Sequence, residues 1–342
     1  MKAMVLRRLQ SLADNQSPLE LVELPRPVPA DNEVLVQVSV CGVCHTELDE
    51  IEGRTPPPHL PIVLGHQVVG IVGEVGHAVS RFRVGERVGV AWIYFACGRC
   101  EFCSAGNENL CQEFKATGRD ANGGYADFLT VPADFIYPIP TGFSDVEAAP
   151  LLCAGAIGYR SLRLAGLKDG QNLGLMGFGA SAHLVLKMAR YLLPRSNVFV
   201  FARSESEQQF ARELGAIWAG DTFALSPEKL HGIIDTTPVW TPVVEGLKNL
   251  ERGGRLVINA IRKENGDKRV LLQLDYSTHL WMEKEIKSVA NVARGDVKEF
   301  LQIAARIPLK PTVEEFRLED ANRALLEIKD RKVRGAKVLR LG

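Results

Sequence analysis

The ten residues Leu173-Gly174-Leu175-Met176-Gly177-Phe178-Gly179-Ala180-Ser181-Ala182 carry the strongest architectural signal in the chain. A short apolar run ends on a glycine-rich turn, and a helical pattern from Ser181 to Leu193 follows until Pro194 stops it. The spacing is G-x-G-x-x-A, a permitted form of the fingerprint that seats a dinucleotide at the first turn of a parallel α/β sheet. Gly177 supplies the tight turn and Gly179 lets the backbone approach a pyrophosphate. Ala180, Ser181 and Ala182 open a helix whose N-terminus favours negative charge. A glycine turn alone would say little; the strand before it, the helix after it and the apolar strand Val198 to Phe201 beyond give it context.

The same grammar extends outward. Ile233-Ile234 and Leu256-Val257-Ile258 read as further buried strands, with Glu205 to Leu214 a helix that ends at Gly215. Residues 154–291 are therefore expected to form a doubly wound parallel sheet of the Rossmann type. Towards the N-terminus, β-branched runs alternate with glycine and proline turns: Val34 to Val38, Val68 to Val72, Arg87 to Val90. That pattern predicts an irregular, mainly β domain over residues 1–153. After about Asn291 no βαβ rhythm is legible, and the closing strand Ala336 to Leu339 is expected to return to the first domain, making it 1–153 plus 292–342. A chain of 342 residues suits two such domains.

At the end of the second strand, an NAD-preferring protein usually offers an acid to the adenosine ribose, whereas this chain reads Ala202-Arg203-Ser204. No carboxylate repels a 2′-phosphate there, and Arg203 and Ser204 offer a planar cation and a donor. NADP(H) is the favoured cofactor. The alternative is that Arg203 is a solvated charge and Ala202 lines a permissive pocket, which leaves NAD(H) use open.

The residues are 46% hydrophobic and 24% charged, with 41 Lys plus Arg against 41 Asp plus Glu. A balanced charge creates no field to draw in nucleic acid or an anionic membrane, so a small-molecule partner is expected. Arg7 and Arg8 interrupt the apolar start, no signal-peptide core forms, and no segment is long enough to span a bilayer. A cytoplasmic protein is expected. Seven cysteines in such a chain point to metal rather than to disulfides.

Cys97, Cys100, Cys103 and Cys111 stand as C-x2-C-x2-C-x7-C in a polar lobe of about residues 93–113, with Gly98 and Gly106 freeing the backbone to wrap one point. Four thiolates match a closed tetrahedral zinc site; an iron–sulfur cluster uses similar ligands, and zinc is the better reading for a polar loop. Four protein ligands leave no open position, so chemistry must lie elsewhere. Of the remaining cysteines, 41, 44 and 153, two occur in Cys41-Gly42-Val43-Cys44-His45-Thr46-Glu47-Leu48, and Gly65-His66-Gln67 opens an apolar strand. Taken singly, each is as easily a buried apolar cysteine or a satisfied histidine.

Together, CGVCHTEL, Gly65-His66, the four-cysteine lobe, Leu151-Leu152-Cys153-Ala154-Gly155 and the glycine-rich turn come in the order of the zinc-dependent medium-chain alcohol dehydrogenases, and the chain resembles that family over essentially its whole length. The resemblance implies a GroES-like catalytic domain, a Rossmann domain inserted in it, a catalytic cleft between the two and a homodimer or homotetramer. It implies that Cys44, His66 and Cys153 hold a catalytic zinc whose fourth position takes a small alcohol or aldehyde, for two Zn²⁺ per chain. Thr46 resembles the hydroxyl that passes the proton outward, though an ordinary turn threonine would look the same. His45 resembles a pyrophosphate contact. Glu47 stands where an aspartate usually orients the metal-bound histidine. Trp92 resembles the wall of a pocket for small primary alcohols, or equally an aromatic that packs the lobe.

The chain also departs from the pattern. Gln67 replaces a usual glutamate, Asp49 replaces the histidine that ends the proton relay, and Ala336 replaces a pyrophosphate-binding arginine, with Lys337 beside it as a candidate substitute. The expected activity is hydride transfer between NAD(P)(H) and a small alcohol or aldehyde. A polyol dehydrogenase would carry a carboxylate in place of Cys153, and a non-catalytic zinc-stabilised binding protein would not need the intact Cys44, His66 and Cys153 set.

Overall fold

Long β-branched runs make long strands, and the longest organises the N-terminal region. In the computed structural model, which describes residues 1–307, 309–330 and 335–341, two compact units appear: Met1–Cys153 with Val292–Gly342, and Ala154–Asn291. In the first unit, strand β1 (Glu33–Val43) lies at the heart of a seven-stranded sheet. It pairs antiparallel with β2 (Val68–Val75) and with Phe128–Pro132, and β2 pairs in turn with Arg87–Val90. Val34, Val36, Val38 and Val40 are buried along it. At its end the chain turns at Cys44 straight into helix α1 (His45–Ile51), so the strand terminus fixes where that sulfur points.

In the second unit, six parallel strands take the order β5-β4-β3-β6-β7-β8, counted as β3 (Leu173–Met176), β4 (Val198–Phe201), β5 (Trp218–Gly220), β6 (Leu230–Asp235), β7 (Leu250–Ile258) and β8 (Glu285–Ser288). Every residue of β3 and β4 is buried, as expected of a sheet covered on both faces. Between β3 and β4 runs helix α2 (Ala180–Leu192); α3 (Glu205–Glu213) joins β4 to β5. The chain winds outward from β3 to β5, then crosses back to place β6 on the other side of β3. The topological switch point therefore lies between the C-terminal ends of β3 and β6, where open α/β sheets bind ligands.

The C-terminal tail corrects one expectation. Val313–Arg317 and Ala336–Arg340 pair in parallel, with the helix Ala321–Lys329 lying between them in sequence, which is a βαβ unit. The second of these strands pairs antiparallel with the end of β1, Lys337 opposite Val43 and Arg340 opposite Val40. Its rhythm was illegible because Val313–Arg317 is an edge strand. Glu314 and Glu315 are exposed and only Phe316 is buried, so no apolar run marks it.

Candidate metal centres and the dinucleotide turn

Cys44 is the N-cap of α1, His66 follows the turn at Gly65, and Cys153 closes the 3₁₀ turn Ala149–Leu152. Gly65 has φ +96°, and a Cβ there would fall 2.4 Å from a ring carbon of Tyr125, so only glycine delivers His66 to this place. The Cys44 Sγ lies 3.7 Å from His66 Nε2, which lies 3.3 Å from Cys153 Sγ. A thiolate and an imidazole bound tetrahedrally to one zinc stand about 3.5 Å apart, so this trio fits the ion. It offers three ligand atoms among the described residues and leaves one position open.

Glu47 orders two of the three. Its Oε1 is 2.6 Å from His66 Nδ1, and its Oε2 accepts from the Cys44 backbone N–H at 2.9 Å. With the proton on Nδ1, the Nε2 lone pair faces the sulfurs, the tautomer a metal requires. Burial would lower the His66 pKa, but the negative charges of Glu47 and Cys44 outweigh it and hold the group well above its usual range. The Cys44 thiol is likewise pushed up, first by its hydrogen bond with Cys153 and then by burial.

Trp92 is buried and meets His66 edge-on, ring centroids 4.9 Å apart at 85°. Thr46 is half-buried, with its N–H directed at Cys44 Sγ at 3.4 Å; His45 opens α1 and is exposed. Cys41 lies in the core beneath Gly65 and Gly124. Asp49 is buried and accepts from Arg54 Nε at 2.5 Å.

The sulfurs of Cys97, Cys100, Cys103 and Cys111 lie within 4.8 Å of one another, and all four thiols are free. Cys97 and Cys103 Sγ are 3.9 Å apart, against about 3.8 Å for two thiolates on one tetrahedral zinc. Gly98 and Gly106, at φ +72° and +71°, let the loop wrap them. The lobe is tied down through the buried Glu108, whose carboxylate accepts from the Arg294 Nε at 2.7 Å and from its backbone N–H at 2.9 Å.

In the second unit, Gly177 has φ +80°, and a Cβ there would meet Thr237 at 2.8 Å. Gly179 is the N-cap of α2, and nothing stands within 4 Å of where its Cβ would be, which leaves room for a pyrophosphate. Ala180 begins the helix and Ala182 is buried. Ser181 turns its hydroxyl inward, donating to Ala154 O at 3.1 Å and accepting from Asn259 Nδ2 at 3.3 Å. Only its backbone remains for a ligand. Ala202 is buried; Arg203 is exposed, with no partner among the described residues.

Residues 30–141 match the alcohol dehydrogenase GroES-like domain. A probable alcohol dehydrogenase, AdhA of Mycobacterium tuberculosis, is 42% identical over 94% of this chain and 92% of its own length. The chain belongs to the medium-chain alcohol dehydrogenase family. It is an oxidoreductase acting on alcohols. An alcohol dehydrogenase of Geobacillus stearothermophilus is 34% identical over 94% of this chain and 96% of its own. A solved NAD-dependent alcohol dehydrogenase superposes with TM-score 0.88 at 25% identity, each chain covered in full (100%). A cinnamyl alcohol dehydrogenase of Sorghum bicolor gives 0.83 at 26%, with 99% of this chain and 97% of that one covered.

Two sequence expectations change in this alcohol dehydrogenase. Ser204 is the N-cap of α3: its hydroxyl donates to Glu207 Oε2 at 2.9 Å and accepts from the Glu207 N–H at 3.3 Å, so it is no free phosphate donor. The signal was present, since Ser204-Glu205-Ser206-Glu207 spells a capping box. Lys337 does not replace the arginine missing at 336. It is buried, held by Glu314 Oε2 and Glu327 Oε2 at 2.5 Å each, with its ammonium 4.8 Å from the Phe316 ring centroid. Sequence reasoning also missed Glu50, a fully buried acid with neither oxygen partnered among the described residues. Burial and the nearby Glu47 push its carboxyl well above the usual range. Nothing in the periodicity of α1 singles it out.

Proposed function

We propose that this alcohol dehydrogenase interconverts small alcohols and aldehydes with NADP(H) in preference to NAD(H), and that it holds two Zn²⁺ per chain. The observation that carries the reading is the trio Cys44 Sγ, His66 Nε2 and Cys153 Sγ: three metal-type donors where the lobe has four. A closed set serves structure and an open one serves chemistry. When bound, zinc supplies Lewis acidity at the reacting oxygen and the nicotinamide carries the hydride.

The chain's own residues do the rest. Cys44, His66 and Cys153 hold the catalytic ion, and Cys97, Cys100, Cys103 and Cys111 hold the structural one. Glu47 fixes the His66 tautomer through Nδ1. Trp92, standing against His66, limits the space for substrate, which supports small ones. Thr46, beside Cys44, holds the proton of the reacting hydroxyl and hands it outward. Asp49 is engaged by Arg54, so the outer end of that path lies elsewhere. The turn Gly177–Ala182 takes the pyrophosphate, with His45 as a further contact, and Ala202 and Arg203 accept the 2′-phosphate. A homodimer or homotetramer is supported by the edge strand β8, with Ile286 and the nearby Trp281 and Tyr276 exposed. Seven free thiols accord with a cytoplasmic setting.

The test is kcat/KM for NADPH and NADH over a panel of small aldehydes, with zinc content measured alongside. NADPH is expected to lead about tenfold or more, since a charge-assisted hydrogen bond contributes roughly 1.5–3 kcal/mol, and Arg203→Ala should remove most of that lead. Equal values in the wild type, or an unchanged preference in the variant, would sink the cofactor assignment.

A further inference from the structure

The glycine fingerprint describes one side of the switch point; the other is built by a buried ion pair that no motif marks. Met176, the last residue of β3, pairs in register with Asp235, the last residue of β6. The segment after Asp235 therefore faces the Gly177 turn. Thr236 fastens it there, its N–H and hydroxyl both donating to Met176 O at 3.0 and 3.1 Å.

Lys263, from the segment after β7, reaches into the same place. Its ammonium pairs with Asp235 Oδ2 and donates to Thr237 O at 2.8 Å and Val239 O at 2.7 Å. Those three acceptors use all three N–H groups of a lysine. Asp235 Oδ1 accepts from the Thr237 N–H at 3.1 Å and from its hydroxyl at 2.7 Å, and the Asn259 N–H donates to Asp235 O at 2.8 Å. One lysine thus ties the loop after β6 to the loop after β7. Both charges are withdrawn from solvent, with side-chain exposure 6% for Lys263 and 0% for Asp235.

Such a pair is a poor source of stability, because desolvating two charges costs about as much as their attraction returns. Burial in fact leaves the Asp235 carboxyl above its ordinary range even with Lys263 beside it. What the pair does supply is a single conformation for a loop that would otherwise present bare carbonyls at the mouth of the sheet. A Rossmann sheet is two mononucleotide-binding halves, and with the ribose-recognising strand end at β4, the half made by β6 to β8 takes the nicotinamide nucleotide.

We propose that Lys263 is a positioning residue that shapes the nicotinamide side of the dinucleotide crevice by locking Asp235–Val239 to the segment after β7. The inference rests on the dinucleotide reading given under Proposed function. Three ligands separate the two: NADPH, ADP-ribose and 2′-phospho-ADP-ribose, each titrated against the full-length protein by fluorescence or displacement, with Tm recorded for every variant.

Lys263→Met leaves Asp235 buried without its partner and should lower both Tm and NADPH affinity. Asp235→Asn combined with Lys263→Met removes both charges, so Tm should recover by more than half. In that double variant NADPH should still bind about tenfold more weakly than in the wild type, while the two adenosine ligands change less than about threefold. Double-variant affinity for NADPH equal to wild type, or equal weakening of all three ligands, would overturn the positioning role. Wild-type protein that binds none of the three ligands would overturn the underlying dinucleotide reading instead.

Discussion

Replacing Glu47 by Gln keeps the volume of the side chain and removes its charge, which isolates what the carboxylate does. In the native site its two oxygens serve two different donors, His66 Nδ1 at 2.6 Å and the Cys44 backbone N–H at 2.9 Å, in a place from which water is excluded. An amide has one acceptor oxygen. If it faces Cys44, its NH2 meets the His66 Nδ1–H, and the imidazole escapes the clash by moving its proton to Nε2. That is the nitrogen directed at Cys44 and Cys153, so the lone pair for a metal is lost. If the amide oxygen faces His66 instead, the Cys44 N–H is left buried and unpaired. Either arrangement forfeits one charge-assisted bond, roughly 1.5–3 kcal/mol, which is about 10- to 100-fold in zinc affinity. The assay is competition with a chromophoric chelator at fixed pH, followed by metal analysis. The four-cysteine lobe serves as internal control, so zinc per chain should fall from near two towards one, with kcat/KM falling in parallel. A Glu47→Gln protein that retains the second zinc within threefold of wild-type affinity would refute the argument.

Two further outcomes follow from groups outside the open site. Cys103→Ser should lower Tm more than it lowers the specific activity of the protein that remains folded, since a closed metal site contributes folding energy; a well-folded but inactive variant would place the lobe in the chemistry. Glu52 tests the acid limb of stability: burial would raise its carboxyl, but hydrogen bonds from Lys329, Arg54 and the Leu12 N–H pull it from 4.5 to about 2. A depressed folded-state pKa stabilises above the unfolded value and is lost as pH falls from about 4.5 towards 2. Glu52→Gln should therefore cost on the order of 1 kcal/mol at pH 7, screened by its partial exposure, and the Tm gap to wild type should begin to narrow as pH falls through about 4.5 and close only as it passes below about 2. A gap as wide at about pH 2 as at pH 7 would mean the carboxylate's charge is not what stabilises.

How much the sequence discloses depends on how local the cause is. The strands Leu173–Met176 and Val198–Phe201 are legible to the residue because both faces of a parallel sheet are covered and every position must be apolar. Val313–Arg317 is not, because an edge strand can be mostly charged and still pair. The lobe cysteines announce themselves by spacing. Cys44, His66 and Cys153 do not: 22 and 87 residues separate successive members, and only the family resemblance joins them before the fold is known. Lys263 and Asp235 lie 28 apart in regions that read as ordinary loop and strand, so nothing but the fold reveals the pair. Ser204 was legible and misread, since a cap and a phosphate donor call for the same residue type at a helix N-terminus.

The phosphate contacts add a consequence. The resemblance places a pyrophosphate-binding arginine where this chain has Ala336, and Lys337 beside it is turned inward onto Glu314 and Glu327, so on the proposed reading that cation has no substitute there. In the proposed reading the pyrophosphate is gripped by the backbone at Gly177–Ala182, and helix-terminus effects are worth only about 0.3–1 kcal/mol when exposed. Against that weakened background, a single bidentate Arg203 contact to a 2′-phosphate would supply a larger share of the cofactor's affinity than it does where the arginine is kept. Ser204 cannot soften the loss of Arg203, because its hydroxyl is committed to Glu207. Under the NADPH preference proposed above, selectivity would rest on one exposed guanidinium, and weakening by Arg203→Ala should fall almost wholly on NADPH while NADH binding stays where it was.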